Sequence, residues 1–325
     1  MSTPDAVARR RFLPAQVPGG GIQLQEYALV GVVLLLILAG AVLESDDFLT
    51  SDNLLNVLRQ ASIVGVLAIG MTFVIATAGI DLSVGSMVAA AAIAGGQFVE
   101  SGSFVFFLAA LGMGILLGSV NAGAVAYGRV PPFMATLAML LAARGIALWM
   151  SDKTPISIFE LEGIRWFGNG EVLGIPSSAV VFLAITVIGW VLLNRTRYGR
   201  YVVAVGGNRE AARIAGVKVR PIIFSVYVLS GICVAIAAVM LTGRLASASP
   251  LVGNLYELDA IAAVVIGGTS LAGGRATIVG TFLGVITFAL IFNLLTLMGL
   301  AVEIQQITKG AIILAAVLIQ RREES

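Results

Sequence analysis

The sequence predicts an all-α protein, a polytopic bundle of about ten transmembrane helices with both chain termini in the cytoplasm. Of its 325 residues, 58% are hydrophobic and only 12% are charged, and the mean hydropathy is +1.00. A soluble domain cannot bury that much apolar surface. Charge-free runs approaching the roughly 20 residues that cross a bilayer recur along the whole chain. These runs should be helical, because a single segment in lipid must satisfy its own backbone hydrogen bonds.

Ten such runs mark the predicted spans. They cover residues 27–43, 61–80, 84–99, 104–126, 133–150, 178–193, 222–241, 260–271, 277–297 and 304–319. The eighth run is too short for a full crossing and is flanked by glycine pairs. We therefore predict a broken or re-entrant element there.

The distribution of Lys and Arg predicts the orientation, since cytoplasmic loops are enriched in these residues. The cations that fall on one side are Arg9, Arg10, Arg11, Arg129, those of the loop 195–220, Arg275, Arg321 and Arg322. The opposite loops carry mainly acids, namely Asp46, Asp47, Asp52, Glu160, Glu162 and Glu171. We predict a cytoplasmic N-terminal tail at 1–26, a transmembrane domain at 27–320 with the cytoplasmic loop 195–220, and a cytoplasmic C-terminal tail at 321–325.

The composition also excludes several classes of function. A formal net charge of +2 is too small to predict nucleic-acid binding. The chain has no histidine, which removes the commonest metal ligand and general base. Its single cysteine, Cys233, lies in an apolar run and is expected to be a small buried hydrophobe. No catalytic residue, metal site or cofactor is predicted.

A first polar motif lies between the second and third spans, at residues 79–86. It contains Asp81 and Ser83. A carboxylate near membrane depth is costly unless it has a partner. Because Asp is a favoured helix N-cap, we favour a cap on the helix that follows, with a place on a solute pathway as the alternative.

A second polar motif surrounds the eighth span. Glu257 and Asp259 precede it, and Thr269 and Ser270 lie in the glycine-rich segment 267–275 that follows. Two carboxylates at this spacing suit acid–base chemistry only with a matching partner, which the sequence does not supply. All four residues are candidates for capping a helix or lining a pathway, and the acids are expected to cap the eighth span or line its outer mouth.

A third motif is the basic loop 195–220. Asn208 is a good N-cap and Gly216 a good C-terminal stop, which together predict a short helix at 209–215. A loop that only set the orientation would need the cations but not the caps. An ordered helix in this loop is better suited to docking a partner.

Together these motifs resemble those of ABC importer permeases of the ribose, galactose, arabinose and xylose type. The resemblance extends over nearly the whole chain, through residues 48–54, 59–62, 69–72, 79–86, 132–137, 206–212 and 257–274. One departure is Ala276, where the family pattern has a glycine. The resemblance implies a homodimeric or heterodimeric permease in the bacterial inner membrane, a cytoplasmic ATPase and a periplasmic sugar-binding protein. It also implies a coupling helix that contacts the ATPase, formed by Gly207, Asn208, Arg209, Glu210, Ala211, Ala212, Arg213 and Gly216.

The expected function is therefore transport of a monosaccharide, without enzymatic activity in this chain. No G-x-x-x-x-G-K-[ST] phosphate loop is present, so ATP hydrolysis is expected on a separate chain. Branched-chain amino acids, nucleosides and polyols are alternative solutes. A self-sufficient secondary carrier is the rival class, and its ion sites would have to be built from Asp81, Arg144 or Lys309.

Overall fold

The computed structural model describes residues 19–44 and 46–323, and it is almost entirely helical. The α-helices are α1 Gly19–Leu43, α2 Ser51–Ala76, α3 Val84–Gly96, α4 Ser103–Ala126, α5 Pro132–Met150, α6 Glu162–Asn169, α7 Ser177–Trp190, α8 Arg197–Gly207, α9 Arg209–Ile214, α10 Val219–Leu245, α11 Tyr256–Ile266, α12 Ile278–Leu297 and α13 Val302–Glu323. A π-helical turn, Val191–Arg195, extends α7, and a 3-10 turn, Val99–Ser101, follows α3. The all-α transmembrane class predicted from composition is confirmed.

Every predicted span falls on one of these helices, although the boundaries differ. Among the described residues, seven helices are long and apolar enough to cross a membrane. The other three are α3, α11 and α13, so the full count of ten crossings stays a prediction. Helix α2 begins ten residues before its predicted start, because Thr50 caps it by accepting from the Asn53 amide.

Helical structure extends into both predicted tails where the chain is described, and the membrane boundaries stay a prediction. Helix α1 begins at Gly19, so residues 19–26 of the predicted tail 1–26 are helical. Helix α13 likewise continues to Glu323, into the predicted tail 321–325. The predicted N-terminal cations Arg9 to Arg11 lie outside the described residues.

One long loop has structure that the sequence pattern did not predict. It contains α6 and three short strands, β1 Ile156–Ser157, β2 Glu171–Val172 and β3 Ile175–Pro176. Strand β1 pairs antiparallel with β4 Ser247–Ala248, and β2 pairs antiparallel with β3. A Cβ at Gly168 of α6 would overlap the backbone at Gly243, which shows how closely this loop helix sits on the end of α10.

Helix α10 is at the centre of the fold and packs against α2, α3, α4 and α6. Its contact with α4 depends on glycines, since a Cβ at Gly114 would overlap the Gly231 carbonyl, and a Cβ at Gly231 would overlap Gly114. Close backbone approach of this kind is how helices associate in lipid, where no hydrophobic driving force is available. Cys233 is buried in the same helix, as predicted.

The order of helices repeats. A long helix, a short one and two longer ones follow each other as α2, α3, α4, α5 and again as α10, α11, α12, α13. The short α3 packs on α4, α5 and α10, and the short α11 packs on α12, α13 and α2. Two equivalent halves that each contain a short helix are typical of transporter folds.

Candidate functional site

The N-terminal ends of the two short helices, α3 and α11, meet inside the bundle. The backbone of Gly85 lies so close to Gly253 that a Cβ at Gly85 would overlap the Gly253 carbonyl and the Glu257 carboxylate. Gly253 has a φ of +72°, a conformation that favours glycine. Their C-terminal ends lie in different parts of the fold. Gly96, at the end of α3, contacts Ile156 and Ala248, whereas the segment after α11 contacts the α8–α9 region. This arrangement confirms that the eighth predicted span is a short element and shows that the third is one too.

Asp81 is fully buried where the chain enters α3. Its Oδ1 accepts hydrogen bonds from the Ser83 amide at 3.0 Å and from the Ser83 hydroxyl at 2.5 Å. Its Oδ2 accepts from the Ser230 hydroxyl of α10 at 3.4 Å. Asn121 of α4 donates to Ser83 Oγ at 2.9 Å. The carboxylate therefore links α3, α4 and α10 within a buried polar cluster.

This geometry corrects the expectation that Asp81 caps the following helix. Ser83 occupies the N-cap position of α3, and its side chain makes no capping hydrogen bond. Asp81 lies two residues earlier and closes the turn instead of bonding the first helical amides. Because it is fully buried, Asp81 lines no open path in this conformation. A part in the pathway stays a prediction.

The acids of α11 have different surroundings from each other. Neither is the N-cap, which is Leu255 in a left-handed conformation. Glu257 lies against Gly85 of α3, whereas Asp259 forms an ion pair with Lys309 of α13, with the Nζ–Oδ1 distance 2.5 Å. Neither acid therefore occupies the N-cap position, but both lie in the first turn of α11, where negative charge is stabilised. That they line the outer mouth of this element stays a prediction.

The intramembrane cations are satisfied within the chain. Arg144 Nη1 of α5 donates to the carbonyls of Pro250 at 2.5 Å and Val252 at 3.0 Å, in the segment that leads into α11. Lys309 lies over the rings of Phe288 and Phe292, at 5.7 and 5.1 Å from their centroids. Cations with such partners can be retained at membrane depth.

Beside the Asp259–Lys309 pair lies a cavity of about 210 Å³ between α2, α11, α12 and α13. Polar and aromatic side chains line much of it. They are Asn56, Gln60, Asp259, Phe288, Phe292, Asn293, Thr296, Gln305 and Lys309. Of these residues, sequence analysis named Asp259 as a cap or pathway candidate and Lys309 as an ion-site candidate of the rival carrier class. It did not find the others, because they are scattered over several helices and form no local motif.

Thr269 and Ser270 organise the turn after α11. Thr269 Oγ1 accepts from the Thr277 amide at 3.2 Å, and Ser270 Oγ accepts from the Ala272 amide at 3.2 Å. Both side chains are buried. Their hydroxyls shape the glycine-rich segment 267–276 that joins α11 to α12.

The predicted helix in the basic loop is confirmed as α9. Asn208 Oδ1 accepts from the Ala211 amide at 2.9 Å, and Gly216 follows the helix with a φ of +84°. Arg213 Nε donates to Glu210 Oε2 at 3.0 Å, and this hydrogen bond lowers the pKa of the exposed Glu210.

The side chains of α9 differ in exposure. Ala212 is buried against the chain itself. Ala211 and Ala215 are exposed. Ile214, which sequence analysis missed, is 76% exposed and is the large apolar side chain on this helix.

The segment around α9 also contacts the ends of the transmembrane helices. Arg209 Nη2 donates to the Thr77 carbonyl at 3.3 Å, just after α2. A Cβ at Gly206 would overlap the Ala76 carbonyl, and Gly274 lies against Gly207. The Gly274 amide in turn donates to the Ala76 carbonyl at 3.1 Å. The α8–α9 junction therefore touches the segment that leads into α3 and the segment that follows α11.

Comparison with known proteins shows which family the chain resembles. Residues 53–317 match the family model described as the permease component of the branched-chain amino acid transport system. The ribose import permease protein of Escherichia coli K12 is 39% identical, with all of both chains covered. That of Bacillus subtilis 168 is 42% identical over 91% of this chain and 92% of the relative.

A more distant relative is the xylose transport system permease protein of Escherichia coli K12, which is 32% identical over 91% of each chain. No solved structure matches the chain significantly. Among the described residues, no group of three or more His, Cys, Asp or Glu side chains could hold a metal ion.

Proposed function

Because the chain belongs to this family of ABC importer permeases, we propose that it forms the membrane path by which a monosaccharide enters a bacterial cell. The observation that carries the proposal is full-length similarity to ribose import permeases, at 39% identity with no part of either chain left uncovered. The xylose permease among the relatives supports a single sugar as the solute. The inner membrane is the proposed location, with both termini in the cytoplasm.

The proposed complex supplies what this chain lacks. An ATPase on another chain would hydrolyse ATP, since the sequence contains no phosphate loop. A periplasmic sugar-binding protein would select the solute and deliver it to the opposite face. A second permease copy, identical or related, would complete the path.

In this proposal α9 is the docking element for the ATPase. Asn208 and the positive-φ Gly216 give it fixed ends, and Ile214 offers an apolar anchor surrounded by Arg209, Glu210 and Arg213. An aliphatic anchor that enters a pocket of the partner, with polar groups around it, is a usual arrangement at a binding interface. Gly207 and Ala212 face the rest of the permease, where Gly207 contacts Gly274 and Ala212 is buried.

The contacts of α9 give a path for mechanical coupling. A displacement of α9 would move Thr77, whose carbonyl accepts a hydrogen bond from Arg209. It would also move Gly274, which contacts Gly207. From Thr77 the chain runs through the Asp81 turn into α3, and Gly274 lies on the segment that follows α11. Movement at the ATPase surface would thereby reach both short helices.

The test is reconstitution of the permease with its ATPase and binding protein in liposomes. The permease alone should neither hydrolyse ATP nor accumulate sugar, and the complete set should accumulate D-ribose or D-xylose when ATP is present. Within that complex, Ile214→Asp should release the ATPase or uncouple hydrolysis from uptake, because a carboxylate replaces the apolar anchor.

Leu251→Asp is the matched control, since Leu251 is also exposed, at 68%, but lies in a loop predicted to be periplasmic. It should leave ATPase binding unchanged. Proton- or sodium-driven uptake by the purified permease would refute the importer proposal. Normal ATPase binding and uptake with Ile214→Asp would show that α9 is not the docking element.

A further inference from the structure

The cavity beside the Asp259–Lys309 pair has the chemistry of a solute site. Carboxamides from three helices line it: Asn56 and Gln60 from α2, Asn293 from α12 and Gln305 from α13. A carboxamide both donates and accepts hydrogen bonds, which matches a hydroxyl group. Asn56 and Gln60 are exposed on α2, and such groups are costly against hydrocarbon. This face is therefore suited to an aqueous path instead of lipid.

The same cavity presents aromatic surface. Phe288 and Phe292 lie with their ring centroids 4.6 Å apart and an interplanar angle of 51°. Ring faces of this kind pack against the C–H face of a sugar ring, while the carboxamides reach its hydroxyls. Lys309 Nζ lies 5.7 Å from the Phe288 ring centroid and 5.1 Å from that of Phe292.

The charge and the volume of the cavity restrict the class of ligand that it can bind. Asp259 and Lys309 neutralise each other, so the pair adds no net charge to the cavity. A neutral solute then needs no counter-charge. A volume of about 210 Å³ suits one sugar ring better than two.

The predicted orientation places the cavity where a delivered solute would arrive. Asn56 and Gln60 lie in the first three turns of α2, Asp259 in the first turn of α11, and Lys309 in the second turn of α13. Asn293 lies in the last turns of α12. All of these helix ends are on the predicted periplasmic side.

We propose that this cavity is a binding site for a neutral monosaccharide on its way through the permease. The inference rests on the proposed function and deepens it, by assigning the contacting residues. Phe288 and Phe292 hold the apolar face of the ring, and Asn56, Gln60 and Gln305 hold its hydroxyls. The Asp259–Lys309 pair closes the inner wall.

A protection experiment tests occupancy directly. Ala289, which lines the cavity on α12, is changed to Cys in a Cys233→Ala background, and its reaction with a small methanethiosulfonate is timed in the reconstituted importer. Saturating D-ribose or D-xylose should slow the reaction at least about fivefold, whereas L-leucine should not. Gly310→Cys is the control, since a Cβ there meets open space outside the cavity, and its rate should be unaffected by sugar.

A transport experiment tests the ring contact independently. Phe292→Leu keeps apolar bulk but removes the ring face, and it should lower the maximal rate of sugar uptake about tenfold, equivalent to ~1.4 kcal/mol. Phe282→Leu is the matched control on the same helix, because Phe282 stacks on Phe182 away from the cavity. It should stay within about twofold of wild type, and both variants should bind the ATPase normally.

The outcomes separate the two proposals. A wild-type importer that accumulates sugar, with no protection of Ala289→Cys and equal uptake by both Phe variants, would overturn the cavity site alone. Protection by L-leucine instead of sugar would overturn the monosaccharide assignment of the cavity. A wild-type importer that accumulates L-leucine and no sugar would refute the proposed function itself.

Discussion

Asp81 shows how one buried carboxylate can organise a turn that sequence reasoning assigned to a helix cap. Its two oxygens accept from the Ser83 amide, the Ser83 hydroxyl and the Ser230 hydroxyl. These partners come from two separate elements. The bond to Ser230 depends on α10, which is far away in the sequence.

The hydrogen bonds predict the order of effects at this position. Asp81→Asn keeps an acceptor for Ser83, and its amide can donate to Ser230. Asp81→Leu leaves the buried Ser83 and Ser230 groups without that partner, at a cost of about 1–3 kcal/mol. We therefore expect thermal unfolding of the purified permease to occur at a lower temperature for Asp81→Leu than for Asp81→Asn.

Ser230→Ala provides the control, since it removes one long hydrogen bond of 3.4 Å and should have a small effect. An Asp81→Asn variant with normal stability but no transport would contradict the structural role. The negative charge would then act in the pathway, as the alternative interpretation of the motif holds.

At the scale of elements, the contact between α4 and α10 depends on small residues at particular positions. Gly114 and Gly231 face each other so closely that neither can carry a Cβ without overlap. Gly112, two residues from Gly114 on the same helix, faces open space. Close helix packing therefore explains Gly114 and Gly231 but not Gly112.

This difference predicts opposite outcomes for one substitution. Gly114→Ala should destabilise the permease by about 1–3 kcal/mol, because overpacking forces the helices apart. Gly112→Ala should be neutral or slightly stabilising, since alanine favours a helix and meets no neighbour. The measurement is the unfolding temperature of the two purified variants in the same detergent. Equal unfolding temperatures would show that α4 and α10 can move apart at Gly114 without loss of stability.

At the scale of the whole molecule, the orientation depends on the distribution of cations. The strand pair β1–β4 and helix α6 form one end of the structure, and the α8–α9 junction with Gly274 forms another. Each end collects segments that the cation pattern assigns to a single side of the membrane. Segments that the cation pattern assigns to the same side of the membrane therefore lie together in the fold.

Labelling of single cysteines tests the sidedness. Membrane-impermeant thiol reagents should reach positions 46, 162 and 251 from the periplasm, and positions 209 and 324 from the cytoplasm. The reason is the excess of Lys and Arg in the loops on the cytoplasmic side. External labelling at Arg209 would reverse the orientation and exclude α9 as a docking element for an ATPase.

The sequence alone determined the class of this protein, the positions of its apolar segments and the capped helix α9. Each of these depends on local properties, namely composition, the length of charge-free runs, and the chemistry of Asn208 and Gly216. The tertiary structure decided which polar groups meet. Lys309 pairs with Asp259, and Arg209 reaches Thr77, across separations that no local pattern encodes.

The physical reason lies in the composition of transmembrane helices. When nearly all sides of a helix are apolar, periodicity does not reveal which side faces a neighbour, a cavity or lipid. Sequence therefore showed that Asp81, Glu257 and Asp259 needed partners but not which ones. It also could not show that the short helices α3 and α11 meet end to end, because that contact requires both halves of the chain to be folded together.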